Sequence, residues 1–290
     1  MNKISSGVLS LDLLLGGGLP LDKITEISGP PNSSKTSMVL NLIKNNPDCV
    51  TAYLDTDNSI NYDYLETMGV DPDYLVISHP ETTEQLVQIV ETLVSNKAVD
   101  IIILDSLATL ISNEEINGSM SLQVNNNTII ETIKKLSMLI YKSDCALILI
   151  NQIRSDLKAK KYGAETTLAN RALDTYASIR LDIRQTNEIH KYDQIIGAKL
   201  RLSIKKNKTT ANKGSVVIEH YFDSGLDTTA DLLDLACTAN IVNRSGAWYT
   251  YDDIKLQGKA TMIDYLDNNL DLLEIIYDKV MDFYFIRKEQ

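Results

Sequence analysis

The stretch GPPNSSKTS, Gly29 to Ser37, has an opening glycine and a Lys-Thr pair at the spacing of a phosphate-binding loop, G-x-x-x-x-G-K-[ST]. Such a loop, set between a buried strand and a helix, turns backbone N–H groups toward phosphate oxygens, and the positive end of the helix adds to the attraction. The candidate ligands of a nucleotide are Gly29, Pro30, Pro31, Asn32, Ser33, Ser34, Lys35, Thr36 and Ser37. Lys35 would neutralise the β- and γ-phosphates, and the Thr36 hydroxyl would hold Mg²⁺. Ser34 breaks the pattern, because it stands where the second glycine belongs. A capped turn is the plain alternative.

Two further stretches supply the carboxylates that phosphoryl chemistry needs. IIILD closes on Asp105, in the position of a residue that contacts Mg²⁺ through water, although an Asp after an apolar strand also serves as a helix cap. YLDTDNS offers Asp55 and Asp57 at the end of another strand, either of which could orient an attacking water. The same residues could simply build an Asx-rich turn.

The elements that must position these groups alternate along the chain. ITEIS (24–28), CVTAYLD (49–55), VDIIILD (99–105) and CALILINQI (145–153) read as buried strands. Helices are expected from about Lys35 to Lys44, over 83–95 and over 127–143. Strands alternating with helices imply a doubly wound parallel sheet, an α/β fold. ASIRLDIRQ and GAKLRLSIKKNK follow each other with no helix between, suggesting an antiparallel extension. Beyond FDSGLD the pattern changes to short helical stretches around GAWYTYDD, so a core over 1–227 and a small α+β C-terminal domain over 228–290 are expected.

Composition narrows the function classes. The chain has 290 residues and a net charge of −11, which argues against coating nucleic acid by bulk attraction. Lysines nevertheless cluster at 158–161 and 205–213, so local basic patches stay compatible with DNA binding. Cys49, Cys145 and Cys237 lie far apart in apolar contexts and read as buried thiols of a reducing compartment. No apolar run has the length of a membrane helix and no basic-then-apolar leader opens the sequence, so a cytoplasmic protein is expected.

ISSGVLSLDLLLGGGLP, EISGPP, VDIIILDSLATL, LILINQIR, YASIRLDIR, KKNK and GAWYTYDD resemble segments of the bacterial RecA recombinases and their phage relatives, in the same order and over nearly the whole chain. The resemblance implies a RecA-like ATPase core that binds ATP and Mg²⁺, assembles on single-stranded DNA as a filament or ring, and pairs it with homologous duplex DNA. Matched by position, Lys35 and Thr36 resemble the phosphate and Mg²⁺ residues, Asp105 the Mg²⁺-linked aspartate, and Asp57 the catalytic glutamate. Tyr64 matches a tyrosine that stacks on adenine, and Gln152 a glutamine that senses the γ-phosphate. Lys206 and Lys208 match lysines that reach the neighbouring subunit's ATP. The segment 155–170 takes the place of the second DNA-binding loop, with Arg154, Lys158, Lys160, Lys161 and Arg171 as the candidate DNA contacts, and Asn117 to Val124 that of the first, with Met120 or Leu122 as wedges.

Departures from the family fall on functional positions. Ser34 in a left-handed conformation would cost on the order of 1 kcal/mol. Asp57 is one methylene shorter than glutamate. Asp174 and Thr175 replace a lysine and a phenylalanine of the subunit joint, and Ala169 and Asn170 replace paired glycines. The chain opens almost directly at ISSGVLSLD, where the family has a preceding docking segment, and it lacks the acidic tail; a weakened filament is expected. A degenerate relative that binds nucleotide or partners another recombinase without turning over ATP, or a loader ATPase on the same core, is the alternative. The Asn-, Ile- and Tyr-rich divergence suggests a phage origin.

Overall fold

The computed structural model describes residues 2–107, 122–155 and 165–285, except for the side chains of 122–126, 154–155 and 165–166. An N-terminal strand β1 (Lys3–Ile4) leads through helix α1 (Leu9–Leu14) to β2 (Leu19–Pro20), its antiparallel partner. The alternating region follows as β3 (Ile24–Gly29), α2 (Lys35–Lys44), β4 (Thr51–Asp55), α3 (Tyr62–Thr67), β5 (Leu75–Ser78), α4 (Thr83–Ser95), β6 (Ile101–Asp105), α5 (Leu122–Tyr141) and β7 (Ala146–Ser155). Next come β8 (Glu165–Thr167), α6 (Asn170–Tyr176), β9 (Ala177–Lys191), β10 (Gln194–Asn207), β11 (Ser215–Tyr221) and β12 (Gly225–Leu226).

These strands form one sheet in the order β12-β11-β10-β9-β3-β7-β6-β4-β5, with β8 paired to β7. The run from β9 to β5 is parallel, and β9 to β12 is antiparallel, as the missing helix between β9 and β10 implied. The parallel strands read as continuous apolar runs because both faces are covered. Along β6, Ile101 and Ile103 join one core with α2, while Ile102 and Leu104 join the other with α4 and α5. That alternation is the period-two geometry of a strand.

Two elements differ from expectation. Helix α5 begins at Leu122 rather than near 127, because Asn125, Asn126 and Asn127 obscure its periodicity. The edge strand β5 is only four residues long and half-covered, too short to show a pattern. Cys145 is buried as expected, whereas Cys49 and Cys237 are half-buried and free. Among the described residues no helix is long and apolar enough to cross a membrane.

Beyond β12, helix α7 (Thr228–Thr238), the antiparallel strands β13 (Asn243–Ser245), β14 (Trp248–Tyr251) and β15 (Ile254–Gln257), and helices α8 (Lys259–Asp267) and α9 (Leu270–Phe285) enclose a separate core. Leu233, Val242, Tyr249, Met262, Leu266, Ile276 and Val280 are its centre.

The middle of the large sheet holds a charge. Glu26 on β3 is 0% exposed, and it accepts from Asn151 Nδ2 on β7 at 2.9 Å and pairs with Arg180 Nε on β9. Arg180 also pairs with Asp174 and donates to Asn170 Oδ1 at 2.8 Å and Thr167 Oγ1 at 3.2 Å. A buried ion left without its partner is costly. Arg180→Leu should therefore destabilise the protein by about 3–5 kcal/mol in urea unfolding, and adding Glu26→Leu should recover much of that loss.

Candidate functional site

The loop at the end of β3 has the geometry of a phosphate cradle. A Cβ on Gly29 would sit 2.6 Å from Ile183 O, so the backbone there closes against β9 in a way only glycine permits. Asn32 and Ser34 are left-handed, at φ 58° and φ 63°. Ser34 thus adopts the conformation for which glycine is the usual residue. It holds the N-cap position of α2 without capping it; its Oγ lies 3.3 Å from His220 Nδ1 on β11 instead. Gln185 Nε2 on β9 donates to Asn32 O at 2.6 Å. The antiparallel extension therefore grips the loop at two points.

Lys35 is the first residue of α2, and its ammonium donates to Pro30 O at 2.7 Å and Gly29 O at 3.2 Å. Burial lowers its pKa, partly offset by the charge of Asp105. Asp105 Oδ2 accepts from Tyr53 OH at 2.8 Å and lies 3.5 Å from Thr36 Oγ1. Burial pushes the Asp105 carboxyl up; the Tyr53 hydroxyl opposes this, Asp57 and Asp55 reinforce it, and Lys35 draws it back down. A buried carboxylate beside a hydroxyl at a helix N-terminus, with two more acids nearby, fits a hydrated divalent cation held largely by phosphate. Among the described residues no three His, Cys, Asp or Glu side chains converge on a metal position.

The two aspartates of YLDTDNS separate. Asp55 is fully buried and accepts from Ile60 N at 2.9 Å and Asp57 N at 3.2 Å, so it builds the turn. Asp57 is exposed. Tyr64 packs against the core beside α2, and its hydroxyl meets Ser37 Oγ at 2.7 Å. Gln152 pairs in register with Gly29, which places the candidate sensor next to the start of the loop.

Lys206 and Lys208 do not bond to the loop of their own chain. Lys206 Nζ donates to Asp174 O, and Lys208 Nζ donates to Thr175 O at 2.7 Å. Burial first, then the adjacent Lys208 charge, lowers the Lys206 pKa to about 8. Asp174 and Thr175 thus seat these lysines, and the Asp174 carboxylate is paired within the chain to Arg180. Ala169 is left-handed at φ 50°. Arg171 is exposed on α6. Lys158, Lys160, Lys161 and Met120 lie outside the described residues, as do the side chains of Arg154 and Leu122.

Tyr53, Gln185 and His220 belong to this site yet carry no local signal. Each acts on a loop or carboxylate far away in the sequence: His220 is separated from Ser34 by 186 positions.

Asp105 generates a stability prediction. A carboxyl raised above its unfolded value contributes stability that is present below the ordinary carboxylate range and lost as pH rises through the raised value. Asp105→Asn has no proton to lose there. In thermal melts the variant should match the parent near pH 4 and exceed it by about 2–4 °C near pH 8.

Comparison with known proteins agrees with this architecture. The family described as RecA N-terminal domain matches residues 1–227, and that described as RecA C-terminal domain matches residues 230–284. Protein RecA of Clostridioides difficile is 36% identical over 293 aligned positions, covering 99% of this chain and 84% of the relative. Protein RecA of Thermus thermophilus is 36% identical, covering 96% of this chain and 84% of its own length. Protein RecA of Geobacter metallireducens is 34% identical, covering 97% and 85% respectively. The chain belongs to the RecA family.

Proposed function

We propose that this chain is an ATP-dependent recombinase that assembles on single-stranded DNA and promotes pairing and strand exchange with homologous duplex DNA. The carrying observation is the convergence of Lys35, Thr36, Tyr53 and Asp105 beneath the loop, with Lys206 and Lys208 bonded elsewhere. Residues 1–227 act as the ATPase core and 228–290 as a small C-terminal domain.

In this reading Lys35 leaves the carbonyls of Gly29 and Pro30 to meet the β- and γ-phosphates, a short move for a flexible four-carbon stem. Thr36 and Asp105 would hold Mg²⁺, which would supply positive charge against the triphosphate. Asp57, exposed on the turn after β4, orients the attacking water. Tyr64 offers its ring to the adenine. Gln152 reads the γ-phosphate and transmits its position to the strand that leads into 156–164. Arg154, Lys158, Lys160, Lys161 and Arg171 track the DNA backbone.

Lys206 and Lys208 serve the neighbouring subunit, where a cation supplied in trans stabilises charge in phosphoryl transfer. In the lone chain burial and the Lys208 charge hold the Lys206 pKa down to about 8, and the negative charge of a neighbouring triphosphate would raise it again. Hydrolysis then depends on assembly, and assembly on DNA.

ATP hydrolysis measured with and without single-stranded DNA tests the reading. DNA should stimulate turnover, and Lys35→Ala should lower it by at least about 100-fold. Binding of ATP with no turnover on DNA, and no assembled polymer, would instead support a degenerate nucleotide-binding relative.

A further inference from the structure

His220 is the one histidine buried among the described residues, 3% exposed, and its Nε2 has no hydrogen-bond partner among those residues. Its Nδ1 faces Ser34 Oγ at 3.3 Å, and its ring meets Phe222 edge-on at 5.8 Å. Burial lowers its pKa, so the imidazole is neutral and carries one proton. Two tautomers are then open. With the proton on Nε2, a buried N–H would lack a hydrogen-bond acceptor, which is rare in folded proteins; with the proton on Nδ1, only a lone pair is left over, which is better tolerated. The second tautomer makes Nδ1–H the donor and Ser34 Oγ the acceptor. The serine hydroxyl hydrogen is then free to point elsewhere.

The surrounding backbone holds this pair in place. Ser34 is left-handed at φ 63° and leaves the N-cap role unfilled, so its side chain is committed to His220 rather than to its own helix. A Cβ on Gly197 would overlap His220 O, so β10 approaches β11 closely at that residue.

We propose that His220 is a positioning residue for the phosphate loop: its Nδ1–H fixes the Ser34 hydroxyl as a hydrogen-bond donor to a nucleotide phosphate. Serine then supplies a ligand that glycine at this position could not, which offsets the cost of its left-handed backbone. The proposal rests on the reading of the loop as an ATP site. Ser34→Gly alone relieves the backbone and removes the hydroxyl at once, so its net effect is not diagnostic. The coupling between the two residues is.

MgATP affinity of the full chain, measured by calorimetry for the parent, His220→Leu, Ser34→Gly and the double variant, reads that coupling. His220→Leu should weaken MgATP by about threefold to tenfold when Ser34 is present and by less than about twofold in the Ser34→Gly background. His220→Asn, whose amide can donate from nearly the position of Nδ1, should recover most of the loss. The ¹⁵N spectrum of histidine-labelled protein without nucleotide should show His220 protonated on Nδ1, its signals assigned by their disappearance in His220→Asn. Equal losses with serine and with glycine at position 34, no loss in either, or a proton on Nε2 would overturn the proposal. Failure of the parent to bind MgATP at all would overturn the reading of the site instead, and the tautomer would still decide whether His220 donates to Ser34.

Discussion

The carboxylate of Glu26, buried in the centre of the sheet, is the constraint on which the rest depends. It needs partners, and it takes them from both neighbouring strands: Asn151 on β7 and Arg180 on β9. Asn151 immediately precedes Gln152, and Arg180 in turn holds Asp174, Asn170 and Thr167. One buried charge therefore ties the strand that delivers the phosphate loop to the candidate sensor, to α6 and to the lysines seated on its last carbonyls. Low local dielectric makes such a network stiff when complete and expensive when broken. The network links the strand that delivers the loop to helix α6 through both ionic and backbone connections.

Substitutions at family positions look different in this setting. The Asp174 carboxylate is paired to Arg180 within the chain, and the backbone of Asp174 and Thr175 anchors Lys206 and Lys208. Ser34 and Ala169 accept left-handed backbone where glycine would be strain-free, each at a cost on the order of 1 kcal/mol. At Ser34 a second residue, His220, meets the new side chain.

The parallel core was legible because its strands are continuous apolar runs and its helices have clean periodicity; the helix over Thr83–Ser95 matches its expected limits. The Lys35, Thr36 and Asp105 arrangement was legible because its spacing is local or follows strand ends. The residue pattern alone left Asp55 and Asp57 open and only the resemblance pointed to Asp57; burial separates the carboxylate that builds the turn from the one that faces solvent. Tyr53, Gln185 and His220 were invisible for a related reason: their roles arise only when strands distant in sequence become neighbours. The short edge strand β5 had too few residues to announce itself.

The central claim is that one chain supplies the loop and the next supplies the lysines. Mixing two variants tests it directly: Lys35→Ala, with a disabled loop but intact Lys206 and Lys208, and the Lys206→Ala/Lys208→Ala double variant, with the reverse. Each alone should be inactive on single-stranded DNA, and an equimolar mixture should hydrolyse ATP, because every junction of the right order joins an intact loop to intact lysines. A mixture as inactive as its parts, or a double lysine variant with full activity by itself, would contradict the account.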